Sequence, residues 1–105
     1  MNNINILDVV GNEPRQELFY ILNNGEQVKI NLSYKPRFSF WNIDIKYKNK
    51  EVKNTLVDFS QDLFYQYSNF FPFKIVVLSN TGLRPFYLDD FINSNCLIGV
   101  IDESQ

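Results

Sequence analysis

The sequence predicts a mainly β fold, a small antiparallel β-barrel or β-sandwich with one short helix. Three observations carry this. Residues 28–34 and 39–47 alternate apolar and polar side chains with a period of two, the mark of strands with one buried and one wet face. Asn24-Gly25 lies between two such runs, and both residues tolerate the positive φ of a tight hairpin turn. Only residues 58–67 change to helical spacing, through Phe59, Leu63, Phe64 and Tyr67.

The organising stretch is Trp41, Ile43, Ile45 and Tyr47, interleaved with Asn42, Asp44 and Lys46. Val28, Ile30, Leu32 and Tyr34 repeat the pattern against Lys29, Asn31 and Ser33. With residues 35–38 as the connection, Leu32 is expected opposite Trp41, Ile30 opposite Ile43 and Val28 opposite Ile45, all on one apolar face. A two-residue turn at Asn24-Gly25 adds residues 17–22 as a preceding strand, with Ile21 opposite Val28 and Phe19 opposite Ile30. Residues 1–14 are a first strand or an N-terminal arm, ended by Gly11 to Pro14.

After a polar turn centred on Asn49 and Lys50, residues 51–57 make a fourth strand. Its pairing sets Val52 opposite Tyr47 but brings Asn54 against Ile45, a misfit that a bulge relieves. The helical turns at 58–67, capped by Asp58 or Ser60, are expected to lie over one end of the fold and to stop before Pro72. Residues 73–79, FKIVVLS, have little polar alternation and read as a central strand. A loop from Asn80 to Pro85 follows, then a short turn through residues 88–92. Residues 96–102, CLIGVID, form the closing strand, with Gly99 a bulge or close-packing point.

Composition bounds the function. At 105 residues the chain is expected to form a single domain, residues 1–105, around one two-layer core. Cys96 is the only cysteine and there is no histidine, which removes an internal disulfide, a thiolate zinc site and the usual general base. No catalytic residue, metal ligand or cofactor site is expected. A net charge of −2 exerts no long-range pull on phosphates, and no membrane or export segment is visible. The 10 Phe and 6 Tyr accompany abundant Asn, Ile and Lys and an absence of Ala. All the enriched residues have A/T-rich codons, so aromatic abundance alone does not indicate a ligand surface.

Each residue that invites a chemical role has a plainer one. Asp89 and Asp90 are adjacent carboxylates, but sequence neighbours point apart, which favours solvation or capping over a shared proton or metal. Cys96 opens an apolar strand and reads as a buried, inert thiol. Lys46, Lys48, Lys50 and Lys53 surround a hairpin turn beside Asp44 and Glu51 and read as a soluble face. Trp41 sits in the apolar row and reads as core.

Several short groups, taken in order, resemble the phage baseplate plug family known from a cyanophage tail. They are the W-x-I-x-I strand of Trp41, Ile43 and Ile45, a D-L-x-x-x-Y segment of Asp62, Leu63 and Tyr67, and the apolar strand at 74–79. A Gly-x-x-Pro loop with an acidic-aromatic stretch follows, through Gly82, Pro85, Asp89, Asp90 and Phe91, then an apolar strand ending acidic at 97–103. The resemblance spans about residues 16–104. It departs from the expected pattern at Arg84, where an acidic residue or Asn would precede Pro85. It implies a structural protein of a phage or prophage tail baseplate, made in the host cytoplasm and housed in the virion. The implied partners are hub, tube or spike subunits and further copies of itself, with no nucleic acid, no membrane and no catalysis.

On that reading, the contact is expected at the loop carrying Arg84 and Pro85, followed by Phe86, Tyr87 and Phe91. Rigid proline, arginine and aromatic anchors enrich interface centres. Phe86 and Phe91 have a competing role as plugs of the fold's end, which leaves Arg84 and Tyr87 as the better interface residues. The competing function is an OB-fold module binding single-stranded nucleic acid, since a five-stranded barrel with surface aromatics suits that activity. A sequence pI of about 5.0 weighs against it.

Overall fold

The computed structural model describes residues 3–9, 13–82, 84, 85, 87, 88, 90, 91, 93 and 95–104. Seven strands occur in it: β1 (Ile4–Ile6), β2 (Arg15–Ile21), β3 (Gln27–Lys35), β4 (Phe40–Tyr47), β5 (Lys50–Leu56), β6 (Phe73–Ser79) and β7 (Cys96–Asp102). They form two antiparallel sheets, a meander β2-β3-β4-β5 and a smaller sheet ordered β1-β7-β6. No ladder joins the two sheets among the described residues, so the architecture is the sandwich and not the barrel. The five-stranded barrel premise of the nucleic-acid alternative is therefore not met.

The alternating rows form the core as the period of two requires. Val28, Ile30 and Leu32 on β3 and Trp41, Ile43 and Ile45 on β4 are almost fully buried. They share one apolar cluster with Ile75 and Val77 of β6 and Ile98 and Val100 of β7. Each such side chain stabilises the fold by roughly 1.5–3 kcal/mol relative to an exposed one.

Three registers differ from expectation. Between β3 and β4, Leu32 pairs with Ile43, Ile30 with Ile45 and Val28 with Tyr47, while Trp41 faces Tyr34. The strands extend to a Lys35–Phe40 pair, and the connection is Pro36 to Ser39, with Ser39 at φ 54°. The shift is two residues, so the buried face is unchanged.

Between β2 and β3 the shift is one residue, and it exchanges the faces of β2. Leu18 pairs with Ile30 and Tyr20 with Val28, while Phe19 and Ile21 point outward and are exposed. The cause lies in the turn. Gly25 N donates to Leu22 O at 2.9 Å, Leu22 N donates to Glu26 O at 2.8 Å, and Gly25 has φ 87°. This is a three-residue loop with glycine in the left-handed position, not a two-residue turn.

β5 contains the expected bulge, but its register differs by two residues: Val52 pairs with Ile45 and not with Tyr47. The register changes between Ile43 and Ile45, and Asn54, at φ 61°, donates its backbone N–H to Asp44 Oδ1. The turn before it is centred on Lys48 and Asn49 instead of Asn49 and Lys50, because Tyr47 pairs with Lys50 and Lys48 takes φ 55°.

Residues 58–63 run extended beside β6 in place of forming a helix. Ser60 and Val77 exchange both backbone hydrogen bonds, and Leu63 N donates to Ile75 O at 2.8 Å. The would-be caps act locally: Asp58 Oδ1 accepts from Phe59 N and Ser60 Oγ from Asp62 N. Helix survives only as the 3-10 turn Tyr65–Tyr67. β7, not β6, is the central strand of the small sheet, and the 58–63 segment covers part of the other edge of β6.

A buried polar tie crosses the sandwich. Asp102, buried at the end of β7, accepts from Asn23 N at 2.7 Å in the β2–β3 turn and from Ser104 N and Oγ. Burial pushes this carboxyl up, but those hydrogen bonds outweigh it and hold the group below the ordinary aspartate range.

Candidate functional site

The loop from β6 to β7 gathers the residues singled out from the sequence, and its form follows from two anchors. The first is Trp41, which is fully buried. Its ring meets Phe91 edge-on at 5.2 Å and Tyr34 at 5.4 Å, and its Nε1–H donates to Tyr87 O at 3.2 Å. An indole buried this deeply needs an acceptor, and the loop backbone supplies it.

Asp90 is the second anchor and is buried. Its Oδ2 accepts from Tyr87 N at 2.8 Å and its Oδ1 from Asn95 Nδ2 at 3.1 Å. Its carbonyl accepts from Asn95 N and Cys96 N, while Asn80 N donates to Asn95 O at 2.8 Å where the loop leaves the sheet. One short acidic side chain thus organises the turn from both sides, a capping role rather than a solvated one. Asp89 and Phe86 lie outside the described residues.

The interface candidates separate by depth. Pro85 is fully buried and Phe91 lies in the core cluster, so both stiffen the loop from within. Arg84 is half-buried and donates from its guanidinium to Ser39 O at 3.4 Å, which ties this loop to the β3–β4 connection. Tyr87 is the reverse of Phe91: its N–H and C=O are both held, yet its side chain stands 67% exposed. Phe38, in the β3–β4 connection, is 65% exposed and was not foreseen as a surface residue. The available signal was its place beside Pro36 and Arg37, out of step with the apolar row.

Cys96 is buried, and burial pushes its thiol up, with a smaller opposing effect from a Ser79 hydrogen bond and a further rise from Asp90. It is poorly suited to nucleophilic work. The lysines around the β4–β5 turn are engaged at the surface: Lys50 lies over the Phe70 ring at 4.8 Å and Lys53 pairs with Glu51 at 3.4 Å. The described part of the loop end therefore presents an exposed aromatic ring and a half-buried arginine.

A family model described as the cyanophage baseplate Pam3 plug gp18 matches residues 1–103. The chain belongs to this baseplate plug family. The match begins at residue 1, so it takes in β1, which the sequence motifs from residue 16 onward left aside. No curated protein matches the chain. Membership of the plug family makes this a structural protein of the phage baseplate, located in the virion tail and in contact with other tail proteins. Among the described residues, no helix is long and apolar enough to cross a membrane.

Proposed function

We propose that this chain is a plug-like subunit of the baseplate, present in several copies, and acts only through protein–protein contacts with hub, tube or spike neighbours. The contact is made by the loop end of the sandwich, through Tyr87 and Arg84. The observation that carries this reading is the state of Tyr87, whose backbone is fixed on Trp41 and Asp90 while its ring projects into solvent. A side chain held on a rigid base loses little conformational entropy on docking, which is the economy that favours an anchor. Tyr also presents apolar area with a polar tip, as interface centres require. Catalysis has no part in this function, and the partners are proteins, because a chain of net charge −2 has little to offer a phosphate backbone.

Replacing both Arg84 and Tyr87 by alanine tests this. Each is a surface or half-buried position, so stability should change by no more than about 1 kcal/mol, read as a nearly unchanged melting curve. Yield of infectious particles, measured by complementing a phage deleted for the gene, should fall at least about tenfold, because a lost anchor typically costs ~2 kcal/mol of contact. Full infectivity of the double variant would show that the protein is held elsewhere.

A further inference from the structure

Among the described residues, three of the four sheet edges are short, covered or broken, and one is open. β1 is only three residues long, and Ser60 and Leu63 take backbone bonds along β6. β5 is interrupted by its bulge, with Asn54 at φ 61° and Lys50 and Lys53 on the strand. Such features keep an edge from pairing with another chain. β2 has none of them. Its seven residues keep a regular register with β3, with no bulge and no proline inside the strand.

The direction of its backbone groups follows from the ladder. Pro14 O accepts from Tyr34 N and Leu22 N donates to Glu26 O, so the alternation of an antiparallel pair turns Gln16, Leu18 and Tyr20 toward β3. The N–H and C=O of Arg15, Glu17, Phe19 and Ile21 therefore point away from the sheet, and among the described residues they have no partner. The same edge is apolar on both faces. Phe19 and Ile21 are 52% and 60% exposed on the outside, while Leu18 and Tyr20, on the core side, are only partly buried. Other than water, only an extended strand satisfies such a row of alternating donors and acceptors.

We infer that β2 pairs antiparallel with β2 of a second copy of the chain, joining the two meanders into one continuous sheet. The edge is its own complement. With the two-fold axis beside Leu18, the whole of β2 overlaps its partner. Arg15 then lies opposite Ile21 of the second copy, Glu17 opposite Phe19, and Leu18 opposite Leu18. Every outward N–H and C=O is paired, and no like charges stand opposed. Glu17 also brings its own counter-ion, Lys29 at 3.5 Å. An axis at Glu17 would set two carboxylates face to face, and one at Gln16 or Phe19 would carry Ile21 or Arg15 past the end of the facing strand. On the core side, Leu18 and Tyr20 of the two copies continue the apolar layer across the joint. A two-fold pairing consumes both edges and leaves neither to recruit a third chain.

This pairing rests on the reading that the chain is present in several copies, and it names the edge they share. Sedimentation equilibrium and NMR amide exchange on the purified full chain test it. The wild type should dimerise with a dissociation constant of roughly 0.1 mM, in keeping with a small interface. Exchange at Glu17 and Phe19 should slow as the concentration is raised through that value, and exchange at Lys53 on β5 should not. Phe19→Glu should weaken the dimer at least about tenfold, because it opposes the partner's Glu17 at both ends of the joint, whereas Phe19→Lys should change it by less than about threefold. Glu17→Pro removes an outward N–H that the fold does not use and should abolish the dimer. Far-UV circular dichroism and melting establish that each variant is folded, and Phe19→Glu, at an exposed side chain, decides the matter if Glu17→Pro is not. A wild type monomeric up to about 1 mM would overturn the pairing. So would a dimer indifferent to Phe19→Glu and Glu17→Pro, or one that protects Lys53 and not Phe19. Slowed exchange at Glu17 and Phe19 in assembled particles alone would give the edge to a strand of another tail protein instead. Copy number in the particle, from quantitative mass spectrometry, and infectivity of the Arg84 and Tyr87 double variant are read separately, so the earlier reading stands or falls by itself.

Discussion

Trp41→Ala is expected to destabilise the protein by about 3–5 kcal/mol, the usual cost of emptying a large aromatic site. The indole is fully buried between Tyr34 and Phe91 at the start of the β4 row, where it faces Tyr34 of β3 and neither strand can close onto the space without leaving its register. The substitution also removes the donor to Tyr87 O. The loss is a large share of the 5–15 kcal/mol that holds a typical domain together, so part of the population should be unfolded at 37 °C. Urea unfolding followed by far-UV circular dichroism measures it. A change below about 1 kcal/mol would mean that the loop and core repack freely around the vacancy, contrary to the dense packing of interiors.

Asp90→Ala should cost about 1–3 kcal/mol, because it strands Tyr87 N and Asn95 Nδ2, both partly buried, without their acceptor. The effect should be local as well as global. Amide exchange at Tyr87, which depends directly on the carboxylate, should quicken far more than exchange at Ile30 or Ile43 in the meander. Asp90→Asn should be milder, since its carbonyl oxygen can still accept one of the two bonds. Unchanged protection of the Tyr87 amide in Asp90→Ala would show that the loop owes its shape to something other than this carboxylate.

Much of the fold was legible because a period of two constrains which residues share a face. The rows Val28–Ile30–Leu32 and Trp41–Ile43–Ile45 are buried whatever the exact register, and a two-residue shift between β3 and β4 left them so. A one-residue shift is different. Asn24-Gly25 suits two turn types that differ by one residue in length, and the choice between them decides whether Phe19 or Leu18 faces the core. Only the packing of the opposite sheet settles that choice, and the hairpin's own sequence does not contain it.

The 58–67 segment shows the same limit from another side. Its spacing suits a helix, but the open edge of β6 offers backbone partners, and Ser60 and Leu63 take them. Tertiary hydrogen bonds outweighed a weak local preference. At the loop end, the sequence identified Arg84 and Tyr87 by residue type, while the division between a buried Phe91 and an exposed Tyr87 required the position of Trp41 to be known. The apolar character of FKIVVLS was visible as well. It reflects a strand with apolar residues on both faces rather than one at the centre of a sheet.

The claim that Tyr87 marks the docking surface is tested most directly by position-specific crosslinking in the assembled particle. A photoreactive phenylalanine analogue is placed at Tyr87 in one strain and at Asn31, on the polar face of the meander, in another. Particles are irradiated, and the crosslinked products are identified by mass spectrometry. Tyr87 should join this chain to another tail protein, because its exposed ring sits on a fixed base at the contact, and Asn31 should give no such product. Crosslinks to a tail protein from Asn31, with none from Tyr87, would instead place the docking surface on the meander.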